Sequence, residues 1–381
     1  MPLLPQFDHI GIEEVLSILG ILVFLIHIIH YFLAYWPIAA LKTTLSSPTT
    51  STEPVSVIIC ARNEDENLTE FLPKILTQEY PEFEVIVVND CSWDNTETVI
   101  DEFARIFPNL KKITIKEDAY YKHGKKFAIV VGIKGAKYEN LVFIDADCYP
   151  SSNQWLKELA TGFSDKKEIV LGYGAYIKTH GFLNKLIRFD TFTIALRYLS
   201  AGMKGKAYMG VGRNLAYKKS LFFKHKGFAS HYHINSGDDD LFVNETATPE
   251  NVNVCIGHDA ITYSKAKKTF REWRMQKVRH LTTAPQYTSA SKVMIGFDFF
   301  IKYVFYVTLV ALFCFKITAL IGVGLFLLKI IFQMVIFNKA AKKFKEPDLW
   351  ALAFVYEFVL LFVYPVFHIA KMFFKPNKWT N

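Results

Sequence analysis

The sequence predicts an α/β domain with a mixed, mainly parallel sheet, set between N- and C-terminal transmembrane helices. Three observations carry this expectation. Hydrophobic residues make up 51% of the 381-residue chain, and the excess sits at residues 15–41 and 296–374. Between those stretches, β-branched runs alternate with helical periodicity, as in strand–helix–strand crossovers of a parallel sheet. Three of the strands run directly into acidic or amide-bearing turns, at the carboxyl ends where such sheets bind ligands.

The first element is apolar. Val15–Tyr35 contains no Asp, Glu, Lys or Arg. At about 1.5 Å per residue it spans a hydrocarbon core of about 30 Å. Asp8, Glu13 and Glu14 precede it where a cleavable signal would carry Lys or Arg, and the run exceeds a normal signal core, so an uncleaved anchor is expected over residues 1–41. Residues 42–54 (KTTLSSPTTSTEP) read as a polar linker.

A catalytic domain is expected over 55–264. Val55–Cys60 and Glu84–Val88 are near-continuous apolar runs, as in strands buried on both faces, and Lys111–Ile115 and Leu141–Ile144 add two more. Leu68–Thr77, Thr96–Phe107 and Lys125–Lys137 read as the intervening helices, with Trp155–Phe163 and Leu183–Leu199 after them. The apolar stripe of the last (Leu183, Leu186, Ile187, Phe192, Leu196, Leu199) is assigned to packing on the sheet. Lys265–Leu281 places Phe270, Trp273, Lys277 and Leu281 at helical spacing among Arg and Lys, the pattern of an amphipathic helix on an anionic membrane face, so 265–295 is read as an interface segment. Residues 296–381 hold the C-terminal spans: two in Gly296–Phe337 with a turn near Lys316, and one at Leu349–Lys371 containing Pro365.

The formal charge of +8 suits anionic partners such as membrane lipids or a diphosphate, and no nucleic-acid-binding motif is present. Cys60, Cys91, Cys148, Cys255 and Cys314 lack C-x-x-C spacing and read as reduced packing thiols. His225, His231, His233 and His258 lack zinc-ligand spacing and read as surface or loop residues. The acidic N-terminus and the Lys339–Lys345 loop place the N-terminus outside and the domain in the cytoplasm, which makes a multi-pass protein of the cell inner (plasma) membrane.

The chemistry is expected at the strand ends. Strand one ends in Ala61-Arg62-Asn63-Glu64, strand two in Asn89-Asp90 and strand four in Asp145-Ala146-Asp147. Two carboxylates at i and i+2 on a turn can face one hard divalent cation, and Mg2+ or Mn2+ wants oxygen donors. Further on, Gly237-Asp238-Asp239-Asp240 sets three carboxylates side by side, where like-charged neighbours raise one pKa and improve a weak base.

The segments VSVIICARNEDENL, VIVVNDCSWDNT, GKKFAIVVGIKGA, LVFIDADCYP, GVGRNLAYKKSLF, SGDDDLFVNE and QKVRH, in that order over roughly residues 55–280, resemble the family-2 glycosyltransferases. The resemblance implies the Rossmann-like glycosyltransferase-A fold and inverting sugar transfer from a nucleotide diphosphate sugar. It places nucleotide-sugar binding at Ala61, Arg62, Glu64, Asp90, Lys125 and Asp145. It makes Asp145 and Asp147 the metal pair and Asp239 the general base, with Asp238 where the family usually has Glu. Gln276, Arg279 and His280 match a Q-x-x-R-W motif in which His280 replaces Trp. Arg279 would meet the diphosphate, and Gln276 and His280 would line the acceptor entrance. The acceptor implied by the anchoring is a lipid-linked or membrane-proximal glycan. A nucleotidyltransferase shares the sheet and aspartates but gives no reason for Gln-x-x-Arg. A non-catalytic scaffold does not need the carboxylates, and a transporter subunit would carry more ionisable residues in its spans.

Lys329 and Glu357 are two charges placed inside the expected spans. Each lies eight residues from the shared loop, at a depth of roughly 12 Å, so an ion pair within about 4 Å is expected.

Overall fold

The computed structural model describes residues 11–41, 53–117 and 124–373. Most of the expected linker, Asp8 and the C-terminal Lys375 and Lys378 lie outside the described residues. Helix α1 (Ile12–Ala34) breaks at Tyr35 and restarts as the short α2 (Trp36–Ala40). Then come β1 (Val55–Ala61), α3 (Asp65–Leu76), β2 (Phe83–Asp90), α4 (Thr96–Ile106), β3 (Leu110–Ile115), α5 (Lys125–Gly135) and β4 (Asn140–Phe143). These seven follow the expected order, with ends moved by three residues at most. The largest shift is at α3, which starts at Asp65 because Asp65 and Glu66 suit the positive end of the helix dipole.

The next stretch is finer-grained than its sequence pattern: β5 (Cys148–Pro150), α6 (Trp155–Ala160), β6 (Ile169–Leu171), β7 (Gly174–Tyr176), α7 (Phe182–Met203), β8 (Leu215–Lys218), α8 (Lys219–Lys224), α9 (Asp240–Thr246), β9 (Val252–Val254) and β10 (Thr262–Ser264). Seven strands form one sheet in the order β3-β2-β1-β4-β8-β6-β9. Only β8 runs against its neighbours, so the sheet is mixed and mainly parallel. A second sheet, β5-β10-β7, stands beside it. Alternation along β1 divides the core. Val57 and Ile59 pack with Leu72 of α3 and Trp155 of α6, while Ile58 packs with Ile129 and Ile133 of α5.

Helix α10 (Phe270–Leu281) leads into α11 (Ser289–Leu312), α12 (Lys316–Lys343) and α13 (Ala353–Met372). Among the described residues, α1, α11, α12 and α13 are long and apolar enough to cross a membrane. Their outer faces are apolar and exposed, as at Ile18, Leu22, Leu25 and Ile29 of α1, while Val23, Phe24, His27 and Tyr31 turn inward. Close approach helps the packing: a Cβ at Gly20 would stand 2.9 Å from Leu312 Cδ1.

The spans carry the expected ion pair. Lys329 Nζ lies 2.5 Å from Glu357 Oε1. Gln333 accepts from Lys329 at 2.8 Å, and Tyr31 donates to Glu357. Burial of both ends is therefore matched by hydrogen bonds, the condition under which a buried pair is tolerated.

Helix α7 joins the two halves. It lies between β7 and β9 on one side and α1, α2 and α13 on the other, which is why its apolar residues run around most of its circumference. Its buried charges each find a partner across this junction. Arg188 meets Glu346 and, at 2.8 Å, Asp348; Asp190 meets Lys277 and Tyr364; Arg197 meets Asp298 at 2.7 Å.

One expectation is corrected. Part of the α10 stripe is taken up by protein rather than left free for a membrane face. Trp273 is fully buried against Phe367 of α13, and Lys277 is spent on Asp190. Phe270, at the start of the same stripe, stays exposed, so protein covers that face only in part.

Candidate active site

The loops after β1 and β2 are laced together by backbone donors. Asn63 N–H donates to Ser92 Oγ at 3.0 Å, Trp93 N–H to Asn63 Oδ1 at 3.0 Å and Glu64 N–H to Thr96 Oγ1 at 2.8 Å. Asn63 and Cys91 sit at φ of 56° and 55°, and Asn is among the few residues that adopt this left-handed region readily. The result holds Arg62 3.9 Å from the buried Asp90 and under the exposed Trp93 ring. Ala61 closes β1 and is buried; Glu64 accepts from Asn67 at 2.6 Å.

Lys125 joins the two acidic sets. Its Nζ lies 2.9 Å from Asp145 Oδ1 and 3.0 Å from Asp238 Oδ2. Burial alone would lower its pKa, but Asp145, Asp238 and Asp239 outweigh burial and raise it. The ammonium is therefore a fixed positive charge in the middle of the cleft.

The three consecutive carboxylates divide their work. Gly237 turns the chain at φ 94°, where a Cβ would stand 2.5 Å from Leu241 Cδ1. Asp238 is buried, which raises its pKa, but Lys125 reverses the balance and lowers it. Asp240 Oδ2 accepts from Thr283 at 2.5 Å and Tyr287 at 2.8 Å, tying the turn to the segment after α10. Asp239 caps α9, accepting from Asp240 N–H at 2.8 Å and Gly212 N–H at 2.7 Å. Burial, then Asp238 and Asp240, push its carboxyl up to about 7 against the pull of Lys125.

Asp145 and Asp147 stand apart from this triad, on the other side of Lys125. Ligand atoms of Asp145, Asp147 and Cys148 lie within 4.8 Å of one another. Burial and the neighbouring Asp145 raise the Asp147 carboxyl, a repulsion that a bound cation would relieve. Cys148 is fully buried, its pKa is raised by burial and by Asp147, and its thiol donates to Asp147 Oδ1 at 3.3 Å. The donors on offer are thus carboxylate oxygens, which fit Mg2+ or Mn2+.

Sequence reasoning missed two neighbours. Arg213, inside GVGRNLAY, stacks 4.4 Å over the Tyr176 ring and offsets part of the rise that burial and Asp145 impose on the Asp147 carboxyl. Gly174 is required beside it, because a Cβ there would meet Arg213 Nε at 2.4 Å. Lys126 points away from Lys125. It donates to His231 O and Nδ1, each at 2.7 Å, and to Ile234 O at 3.1 Å, pinning the segment that leads into the triad. His231 is accordingly buried rather than a surface histidine. The lysine pair in GKK was legible as a basic helix start, but its two directions needed the tertiary structure.

On α10, Gln276 donates to Tyr176 OH at 3.1 Å, and His280 lies within electrostatic range of Arg213 and Lys125. Arg279 is exposed at the end of the same helix.

Known proteins share this architecture. Residues 56–225 match the family model for Glycosyl transferase family 2. A poly-β-1,6-N-acetyl-D-glucosamine synthase of Staphylococcus epidermidis is 38% identical over 95 residues, 25% of this chain and 22% of that protein. The match therefore spans about a fifth of the synthase's length. Glycosyltransferase AglE of Haloferax volcanii is 29% identical over 221 residues, 56% of this chain and 67% of that protein. The structure of the mannosyltransferase PcManGT from Pyrobaculum calidifontis, in complex with GDP-Man and Mn2+, superposes with a TM-score of 0.56. It is 19% identical, with 86% of this chain and 98% of that one covered, a likeness of fold. The chain carries a family-2 glycosyltransferase domain on a glycosyltransferase-A-type fold.

Proposed function

We propose that this protein transfers a sugar, with inversion and with a divalent cation, from a nucleotide diphosphate sugar to a lipid-linked or membrane-proximal glycan acceptor at the cytoplasmic face of the plasma membrane. The observation that supports the proposal is Lys125 bridging Asp145 and Asp238, which brings the Asp145 carboxylate and the raised Asp239 carboxyl to one cleft.

Arg62, Asp90 and the Ala61–Glu64 loop would hold the nucleoside. Lys125 and Arg279 would supply positive charge to the diphosphate, with Arg279 able to pair two phosphate oxygens. Asp145 and Asp147 would hold Mg2+ or Mn2+, whose Lewis acidity would offset charge on the departing diphosphate. Asp239 would take the proton of an acceptor hydroxyl. That oxygen would form a bond to the anomeric carbon from the face opposite the leaving group, and the nucleoside diphosphate would depart. Gln276 and His280 would line the acceptor side. In this reading residues 1–41 anchor the chain, 55–264 catalyse, 265–295 link the domain to the membrane and 296–381 span it.

The test is turnover of UDP-, GDP- and dTDP-sugars by the membrane-embedded protein. One of them is expected to yield free nucleoside diphosphate, with the sugar recovered on an acceptor or water. Release of sugar 1-phosphate, with the nucleoside monophosphate moved to another group, would instead mark a nucleotidyltransferase. Chelator is expected to abolish turnover, and Mg2+ or Mn2+ to restore it. Asp147→Asn is expected to lose donor turnover while keeping its melting temperature. Full turnover by Asp147→Asn in chelator would reject the metal assignment.

A further inference from the structure

The charges buried where the catalytic domain meets the spans can be counted, and one cluster does not balance. Arg188 faces Glu346 and Asp348, and Asp348 also meets the exposed Lys178 at 3.3 Å. Asp190 faces Lys277, and Glu357 faces Lys329. Asp298 of α11 alone faces two permanent cations, Arg197 Nη1 at 2.7 Å and Lys302 Nζ at 2.9 Å. Its other oxygen is filled by Tyr35 OH at 2.7 Å and His30 Nε2 at 2.8 Å. Among the described residues no second carboxylate forms an ion pair with Arg197 or Lys302, and Glu357 acts on Lys302 only at longer range. Two cations therefore share one directly paired carboxylate; Lys302 also donates to Tyr35 OH at 2.8 Å. Lys204, donating to the Leu33 carbonyl, adds another cation at the same end of α1.

An uncompensated charge beside hydrocarbon is costly, and such charges pair or reach a polar partner. Two features mark where that partner would come from. Arg197 has spent Nη1 on Asp298, and its Nε is buried with no hydrogen-bond partner. The cluster is not sealed: the side chains of Arg197 and His30 keep 13% and 11% of their exposure. Helices α1 and α11, which carry His30, Asp298 and Lys302, also present exposed apolar residues. Phe297 sits edge-on to the His30 ring, and Phe300 and Leu33 lie on the same two helices. Amphipathic positions of this kind lie at headgroup level in a bilayer.

We propose that Arg197, Lys302 and His30 form a binding site for an anionic phosphate group, with a membrane-lipid headgroup as the occupant that these exposed apolar residues favour. The site is distinct from the sugar-transfer cleft, and its existence does not depend on the activity proposed above.

The test is thermal unfolding in phosphatidylcholine nanodiscs, with and without phosphatidylglycerol, and with and without inorganic phosphate in the buffer. Phosphatidylglycerol is expected to raise the wild-type Tm by at least about 2–4 °C, because a ligand of the native state stabilises it by mass action. Arg197→Gln leaves a neutral Asp298–Lys302 pair. It is expected to melt at or above the wild type in phosphatidylcholine alone and to show no gain with phosphatidylglycerol. Arg271→Gln removes an exposed charge from α10 and is expected to keep the full gain, which separates the site from general surface attraction. Should Arg197→Gln fail to fold, Lys302→Met reaches the same neutral pair by the other route. An Arg197-dependent gain from inorganic phosphate as well would assign the site to the phosphate group rather than to the whole lipid. A full phosphatidylglycerol response in both neutralised variants, or no wild-type response to either ligand, would overturn the proposal.

Discussion

Asp239→Asn is expected to cut kcat by about 10²–10⁴ while leaving donor KM nearly unchanged, the usual scale of general-base catalysis. The environment of the triad separates this residue from its neighbours. Asp238 is held by Lys125, and its carboxyl is lowered, so it is a poor base. Asp240 is engaged by Thr283 and Tyr287. Burial raises the Asp240 carboxyl too, but its Oδ2 is taken by those two hydroxyls, while Asp239 is pushed up to about 7, by burial first and by Asp238 and Asp240 next. A base works only when deprotonated, so kcat/KM should be full above that value and fall about tenfold per pH unit below it. Asp238→Asn removes a like charge from beside Asp239. It should therefore lower the Asp239 pKa and move the acidic limb to lower pH, the direction opposite to a loss of the base. Asp240→Asn keeps an oxygen for Thr283 and Tyr287 and should cost less than either. If Asp238→Asn or Asp240→Asn is instead the crippled variant, with Asp239→Asn near wild-type kcat, the base assignment fails.

The parts of this site that were legible in sequence share a physical cause. β1, β2 and β4 are buried on both faces, so they stand out as apolar runs, and the polar residues that end them stand out by contrast. β5, β6, β7, β9 and β10 have three residues each, too few for any period to show, and their partners come from distant parts of the chain. The acidic residues were visible, but the bridge from Asp145 through Lys125 to Asp238 was not, because it exists only once α5 is docked beside both turns. Asp298 and Lys302 were hidden for a different reason. The α11 segment is apolar enough to be read as a span on average hydropathy, and an average does not register that Asp298 charge-pairs with Arg197 of α7 and with Lys302 on its own helix.

Reversing one charge of the Lys329–Glu357 pair is expected to be among the most damaging substitutions in the molecule. Removing one partner of a buried pair costs about 3–5 kcal/mol, because the other charge is left unpaired, and reversal adds like-charge repulsion to that. A folded domain has only about 5–15 kcal/mol of stability, so Lys329→Glu or Glu357→Lys should sharply lower the yield of folded protein in membranes. The double exchange should recover most of it, because the surrounding groups can serve either polarity. Tyr31, which donates to Glu357, and Tyr306, 3.3 Å from the same carboxylate, carry hydroxyls that can accept from an ammonium at position 357. Gln333, which accepts from Lys329 at 2.8 Å, can turn its amide to donate to a carboxylate at 329. The measurement is monodisperse yield and Tm after solubilisation for the four proteins of the cycle. Single reversals that match the wild type would show that the pair contributes nothing, and a double exchange no better than the singles would show that the pair needs its polarity. An apolar replacement, Lys329→Met with Glu357→Leu, distinguishes the two remaining roles. A pair that serves only packing should be replaceable at little cost or with a gain in stability. A loss of sugar transfer in a well-folded apolar variant would instead tie these charges to the enzyme's work.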